Sequence, residues 1–350
     1  MDSTSIIHDE ITIAKATEDS VARRTSPQDA LAELYAPIAS QMVAVEQQFQ
    51  GELQSPYESL SAVLRHGTQL GGKRLRPAML LLSAAAVDTP TKDHVTLATV
   101  IEMVHTATLI HDDVLDDADS RRHVETVNAR WNSHTSILLG DFLFAQSFRL
   151  AATVGSTQAC QWIGEAARLV CEGELRQILE RNTIDLDEAT YIEMLGGKTA
   201  ELCRVACQLG ATHAGATPEQ SNALGEYGYA MGIAFQIADD YLDLWGDESD
   251  VGKTLGTDLQ QGKLTLPIIR ILETADPAQR TELESILTGP PDLRAEKILP
   301  HLDSSDAKRY TWEAAKRFQR DAMAAIETLP TTPAKESLTK IARFAVERRF

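Results

Sequence analysis

Residues 100–119 read VIEMVHTATLIHDDVLDDAD, and residues 229–246 read YAMGIAFQIADDYLDLWG. Both stretches set apolar residues three and four apart, the repeat of an α-helix with a buried face. Both end in Asp-Asp-x-x-Asp: Asp112, Asp113 and Asp116 in the first, Asp239, Asp240 and Asp243 in the second. At roughly 100° per residue, His105, Asp112 and Asp116 fall within about 40° of one line, with Thr108 on the same stripe. Gln236, Asp239, Asp240 and Asp243 are spaced i, i+3, i+4, i+7 and share one helical face.

Carboxylates late in a helix oppose its macrodipole, which favours lysine or arginine there. Acids packed this closely also repel one another unless cations sit among them. An all-oxygen donor set suits hard divalent ions, magnesium above all. Two such sets in one chain suggest a clamp on something strongly anionic.

Helical periodicity extends outward from these motifs. It runs from Ala30 to Phe49, Met79 to Val87, Ser136 to Ala152, Cys160 to Leu179, Thr199 to Leu209 and Leu264 to Leu272. Asp88-Thr89-Pro90-Thr91, Gly215-Ala216-Thr217-Pro218 and Gly289-Pro290-Pro291 punctuate it. Alternating β-branched runs are scarce. The expected fold class is all-α, with roughly a dozen helices and short loops. Gly228 and Gly232 would each cost an exposed helix roughly 1 kcal/mol, so they mark a close contact between buried helices. Residues 1–27 are polar and end in Pro27, which reads as a loosely ordered extension before one catalytic domain, 28–350.

The composition, 43% hydrophobic and 24% charged over 350 residues, is that of a globular protein with a sizeable core. A net charge of −18 argues against nucleic acid as a partner. It leaves room for a small phosphorylated substrate, because metals and local cations invert the field. None of the four cysteines forms a C-x-x-C pair; Cys203 and Cys207 read as core packing, and the low count suits a reducing cytoplasm. No basic and apolar leader is visible at the start, and no apolar run approaches the ~20 residues that span a bilayer.

Cations accompany the acids. Arg121-Arg122 follows the first motif, and a guanidinium pair beside a metal-binding carboxylate set makes a phosphate site. Lys198-Thr199, Lys253 and Lys263 follow glycines, as does the segment Gly71-Gly72-Lys73-Arg74-Leu75-Arg76-Pro77. The glycine–lysine pairs are not a P-loop, since the required earlier glycine is missing before both Gly197 and Gly252.

Taken in order, GGKRLRP (71–77), EMVHTATLIHDDVLDDADSRR (102–122), LLGDFLFAQ (138–146), GGKTAEL (196–202), GIAFQIADDYLDLWGD (232–247) and GKTLGTDLQQGKLTLP (252–267) resemble the trans-polyprenyl diphosphate synthase family. The resemblance covers residues 70–270. It implies an all-α fold around a deep central cavity, with the two Asp motifs facing each other across its mouth. It implies head-to-tail condensation of an allylic diphosphate with isopentenyl diphosphate. Asp112, Asp116 and Asp239 would hold magnesium, three ions per site, with Asp113, Asp240 and Asp243 as weaker candidates. Arg121, Lys198, Lys253 and Lys263 would neutralise the leaving diphosphate, while Thr199 and Gln236 hydrogen-bond near it. Lys73, Arg76, His105 and Arg122 would hold isopentenyl diphosphate. A homodimer is also implied.

Two positions depart from the family pattern. His123 stands where glycine usually follows the arginine pair, and Asn132 stands at another usual glycine, where a left-handed turn remains open to asparagine. Small Ala107 and Thr108, just before the first motif, leave the expected product tunnel open. They point to a medium or long chain of the kind attached to quinones. A short-chain farnesyl or geranylgeranyl synthase is the alternative. A terpene cyclase would carry Asn-Asp-x-x-Ser-x-x-x-Glu as its second motif. A non-catalytic partner subunit would have lost acids or cations, and none is missing here.

Overall fold

The structure is a computed structural model that describes residues 27–69, 72–122, 124–246 and 255–347. The expected extension therefore lies outside the described residues except for Pro27, which opens the first helix. Helices α1 (Pro27–Leu34) and α2 (Ala39–Glu52) flank a 3-10 turn, Ala36–Ile38. Next come α3 (Glu58–Gln69), α4 (Leu75–Val87) and α5 (Lys92–Leu115). A small hairpin of β1 (Ser120–Arg121) and β2 (Val124–Glu125) leads to α6 (Val127–Arg130), α7 (Ser133–Ala152) and α8 (Thr157–Leu179). Helix α9 (Glu188–Leu195) runs through a π-helical turn (Gly196–Ala200) into α10 (Glu201–His213) and then α11 (Pro218–Trp245). The remainder is α12 (Thr257–Gln260), α13 (Leu266–Thr274), α14 (Pro277–Leu287), α15 (Pro291–Asp303), α16 (Ala307–Ala325) and α17 (Pro333–Glu347). The fold is all-α, and the hairpin is the only sheet among the described residues.

Helix starts follow from local chemistry. Thr91 and His94 close a capping box on α5, and Thr217 and Gln220 close one on α11 behind Pro218. The periodic run from Ala30 to Phe49 is not one helix. Pro37 lies within the 3-10 turn and separates α1 from α2, since it has no amide hydrogen for a continuous ladder. Asn132 is not left-handed either. It is extended, and its Oδ1 accepts the Thr135 amide at 2.9 Å, so it starts α7 as an N-cap.

Helices α4, α5, α10 and α11 supply much of the main core, with Leu80, Leu97, Ile101, Cys207 and Tyr227 inaccessible to solvent. Burial of each such leucine or isoleucine is worth roughly 1.5–3 kcal/mol. A second apolar cluster joins α9, the later turns of α11, and α13 to α16. The close contact expected at Gly228 is present: a Cβ there would lie 2.4 Å from the Cys203 carbonyl oxygen. Helices α5 and α11 thus end with their Asp motifs anchored by buried turns. No described helix is long and apolar enough to cross a membrane.

Candidate active site

The last turn of α5 sends its carboxylates to different partners. Asp113 turns inward, only 1% exposed, and accepts Arg121 Nε at 2.8 Å. Arg121 reaches it because the β1–β2 hairpin folds back on the helix end; Arg121 and Val124 pair across it. Asp112 is partly buried and pushed up to about 6, chiefly by desolvation, with Glu174 and Asp116 adding to the rise and Lys198 opposing it. Asp116 caps α5. It accepts Arg181 Nη2 at 3.0 Å and Lys263 Nζ at 3.2 and 3.3 Å.

Lys198 rides on the π-helical turn, a bulge of the kind that re-aims side chains at functional sites. It donates to Gln177 Oε1 at 2.8 Å and pairs with Glu174. Desolvation lowers its pKa, but the charges of Asp112 and Glu174 outweigh that and hold it above the ordinary lysine value. Beside it, Thr199 donates to Gln236 Oε1 at 3.2 Å. Gln236 Nε2 donates to Asp240 Oδ1 at 2.9 Å, and the Tyr191 hydroxyl donates to Asp240 Oδ2 at 2.6 Å. Burial, then the charge of Asp258, pushes Asp240 up to about 7.

Asp243, 1% exposed, accepts Thr257 Oγ1 at 2.8 Å and the Asp258 amide at 3.3 Å, so it ties α11 to the start of α12. Asp239 is the half-buried aspartate of the second motif, and its charge acts on Arg122. A cavity of about 70 Å³ is lined by Lys198, Gln236, Asp240, Asp258 and Lys263. Lys263 also holds Asp116, so this cavity connects the two motifs.

A second basic group gathers at the start of α4. Arg76 Nη1 donates to His105 Nε2 at 2.9 Å. His105 is held well below the ordinary histidine value by burial, then by Arg76 and Arg122. It is therefore neutral, with Nε2 as acceptor and the proton on Nδ1. Arg76 Nε has no hydrogen-bond partner. A side chain at Gly72 would meet the Arg122 guanidinium 2.2 Å away, which brings Arg122 beside the start of the 72–77 segment. Lys73 Nζ lies 5.2 Å from the centre of the Phe344 ring. Arg74 has a bracing place instead, 2.6 Å from Glu102 and 3.2 Å from Glu46, over the Phe49 ring.

Ala107 is packed in the main core, and the Thr108 hydroxyl donates to the His105 carbonyl at 2.7 Å. Lys253 and His123 lie outside the described residues. Sequence reasoning missed Glu174, Gln177 and Arg181. The available signal was the stripe Ile163, Ala166, Val170, Gly173, along which α8 is buried. Glu174 and Gln177 continue that stripe with polar groups at spacings of four and three, whereas Arg181 lies beyond the end of α8, where the helical repeat gives no signal.

Among the described residues, no three His, Cys, Asp or Glu side chains form a ready metal cage. The donor chemistry nonetheless fits magnesium, which retains water and takes substrate phosphates beside one or two carboxylates. The raised pKa of Asp112 records a cost of ionisation that a divalent cation offsets.

Residues 57–299 match the family model described as Polyprenyl synthetase. The chain is 35% identical over 314 residues to octaprenyl diphosphate synthase of Escherichia coli (strain K12), covering 89% of this chain and 96% of that one. Decaprenyl diphosphate synthase from Rhodobacter capsulatus superposes with a TM-score of 0.86 at 34% identity, over 93% of this chain and all of that one, 100%. A polyprenyl synthase from Caulobacter crescentus CB15, solved with calcium and isoprenyl diphosphate, gives 0.85 at 33% identity, over 94% and 100% of the two chains.

Proposed function

The chain belongs to the polyprenyl synthetase family, and from that premise we propose that it condenses an allylic diphosphate with isopentenyl diphosphate head to tail and makes a medium- or long-chain trans product. The reading is carried by the way Lys198 and Lys263, whose charges act on acids of the first motif, line one polar cavity together with Asp240 of the second. Ammonium groups and carboxylates gathered in one place are what a magnesium–diphosphate requires.

In this reading Asp112, Asp116 and Asp239 hold three magnesium ions. Once bound, they supply Lewis-acid stabilisation of the leaving diphosphate. Asp113, Asp240 and Asp243 brace the site, through Arg121, Tyr191 with Gln236, and Thr257 respectively. Lys198, Lys263 and Lys253 neutralise the diphosphate as the C–O bond ionises. Arg121 adds its guanidinium from the hairpin, while Thr199 and Gln236 set the allylic end. Arg76, Lys73 and Arg122 bind isopentenyl diphosphate, and neutral His105 aims Arg76. Among the described residues no side chain is placed as an obvious base for the last proton, so the released diphosphate takes it. Several charges acting together supply a large rate factor, since tenfold needs only about 1.4 kcal/mol.

Two of the proteins named above are described as octaprenyl and decaprenyl diphosphate synthases, which supports a long product here. We further propose a cytoplasmic homodimer. Its face is α7, where Ile137, Leu138 and Phe148 are exposed, Leu138 to 67%. Incubation with farnesyl diphosphate, labelled isopentenyl diphosphate and magnesium, followed by product sizing, tests the length. Growth past four isoprene units is expected, and arrest at four would overturn the long-product reading.

A further inference from the structure

Asp116 is clasped by two cations that come from different parts of the chain. Arg181, just beyond α8, reaches it through Nη2 at 3.0 Å. Lys263, between α12 and α13, reaches both of its oxygens. Their meeting is built into the backbone: the Asn182 amide donates to the Gly262 carbonyl at 2.9 Å, so each cation is adjacent in sequence to one end of that bond. Buried Arg294 locks the junction, donating to Asn182 Oδ1 at 3.1 Å and to the Leu259 carbonyl at 3.2 Å.

The clasp has two properties of a ligand site. Arg181 and Lys263 share the single carboxylate of Asp116, while Lys198 nearby is already matched by Glu174. The Arg181 Nε–H is also buried and has no hydrogen-bond partner. A desolvated guanidinium donor with nothing to bind is costly in a settled structure and is accounted for when a ligand supplies the acceptor. A guanidinium matches a phosphate in two-point geometry, whereas a lysine meets it as a point charge.

We propose that Arg181 is a further diphosphate-binding residue of this site, and that in the metal-free protein it competes with magnesium for Asp116. This inference rests on the reading of the site given above. When the metal–diphosphate arrives, Asp116 passes to the metal, and Arg181 exchanges the carboxylate for phosphate oxygens, satisfying Nε. The exchange links the two ligands: the metal displaces Arg181, and the diphosphate receives it. Magnesium alone has to break the clasp without that return, so metal and diphosphate bind better together than separately.

Calorimetric titration of the full-length protein without isopentenyl diphosphate tests this apart from turnover. The probes are magnesium alone, then inorganic diphosphate and farnesyl diphosphate at fixed excess magnesium. For R181Q the expected result is magnesium alone binding roughly threefold tighter or more, because a competitor is gone. Both diphosphate probes should bind about tenfold more weakly, because a charge-assisted pair is lost. R181K should recover part of the diphosphate affinity, and an unchanged melting temperature for either variant shows that the fold is retained. Loss with farnesyl diphosphate but not inorganic diphosphate would restrict the role to the substrate; loss with both extends it to the released product. Magnesium binding that is unchanged or weaker in R181Q, or diphosphate binding equal to wild type, would overturn the inference. If the wild type elongates normally while that happens, only this inference fails. If the wild type binds no magnesium–diphosphate at all, the underlying reading fails with it.

Discussion

Arg76 Nη1 donates to His105 Nε2 at 2.9 Å, deep enough that His105 stays neutral. The unfolded chain takes up a proton at this histidine below about 6.5, and the folded chain does not. Stability from this group is therefore complete above that pH and is lost as pH falls toward the depressed folded value. H105N should flatten the decline of the melting temperature between pH 6.5 and 5.5. It should raise KM for isopentenyl diphosphate more than it lowers kcat, because Arg76 loses its guide. An equal slope in wild type and variant would contradict the buried neutral histidine.

Asp112 works in the opposite direction. Its carboxyl is pushed up to about 6 by burial among other acids. Between the ordinary carboxylate range and that value the folded protein holds a proton that the unfolded chain has released. Metal-free stability therefore falls as pH rises through this window. At pH 7.5 and without metal, D112N should be more stable than wild type by about 1–3 kcal/mol in denaturant unfolding. Magnesium with diphosphate should stabilise the wild type and do little for the variant. A destabilised D112N would show that the ionised carboxylate is already compensated by the protein.

Lys198 is predicted to be the costliest lysine to lose. K198A should lower kcat by about 10²–10⁴-fold, the range for removing a charge aimed at a leaving group. Glu174 would be left partly buried without its cation, costing about 1–3 kcal/mol of stability. K198R tests position against charge: it keeps the sign but not the point geometry, so a near-normal kcat would argue that Lys198 acts only through the general field.

Ala107 and Thr108 are separable in product length. Ala107 has no solvent exposure and sits in the main core, so A107F should cost about 1–3 kcal/mol through overpacking, read by urea unfolding. Thr108 is half-buried, and T108F should shorten the products with little loss of stability. Unchanged product length in T108F would place the length-determining floor elsewhere.

How much of this was legible in the sequence depends on what carried the information. The helical repeat marked α5 and α11, and the acids at their ends, because burial writes a period into the chain. It also ran through Pro37, where one missing amide hydrogen splits the helix, and it could not show that Asn132 would cap rather than turn. The resemblance ranked Asp240 and Asp243 below Asp239, but spacing could not show that Asp240 goes to Tyr191 and Gln236, and Asp243 to Thr257. That division depends on contacts between distant segments, which spacing within one helix cannot encode. The same applies to Arg181, whose place beside Asp116 follows from the Asn182–Gly262 bond joining two distant parts of the chain.

The central claim is that both Asp motifs serve one magnesium–diphosphate site, and a single-turnover assay addresses it most directly. Wild type, D112A and D239A are mixed with farnesyl diphosphate, labelled isopentenyl diphosphate and magnesium, and the first condensation is timed. The account predicts elongation by the wild type and a loss of at least about 10³-fold in each variant, because each removes an interaction needed as the C–O bond ionises. No elongation by the wild type, or a near-normal rate in either variant, would contradict it.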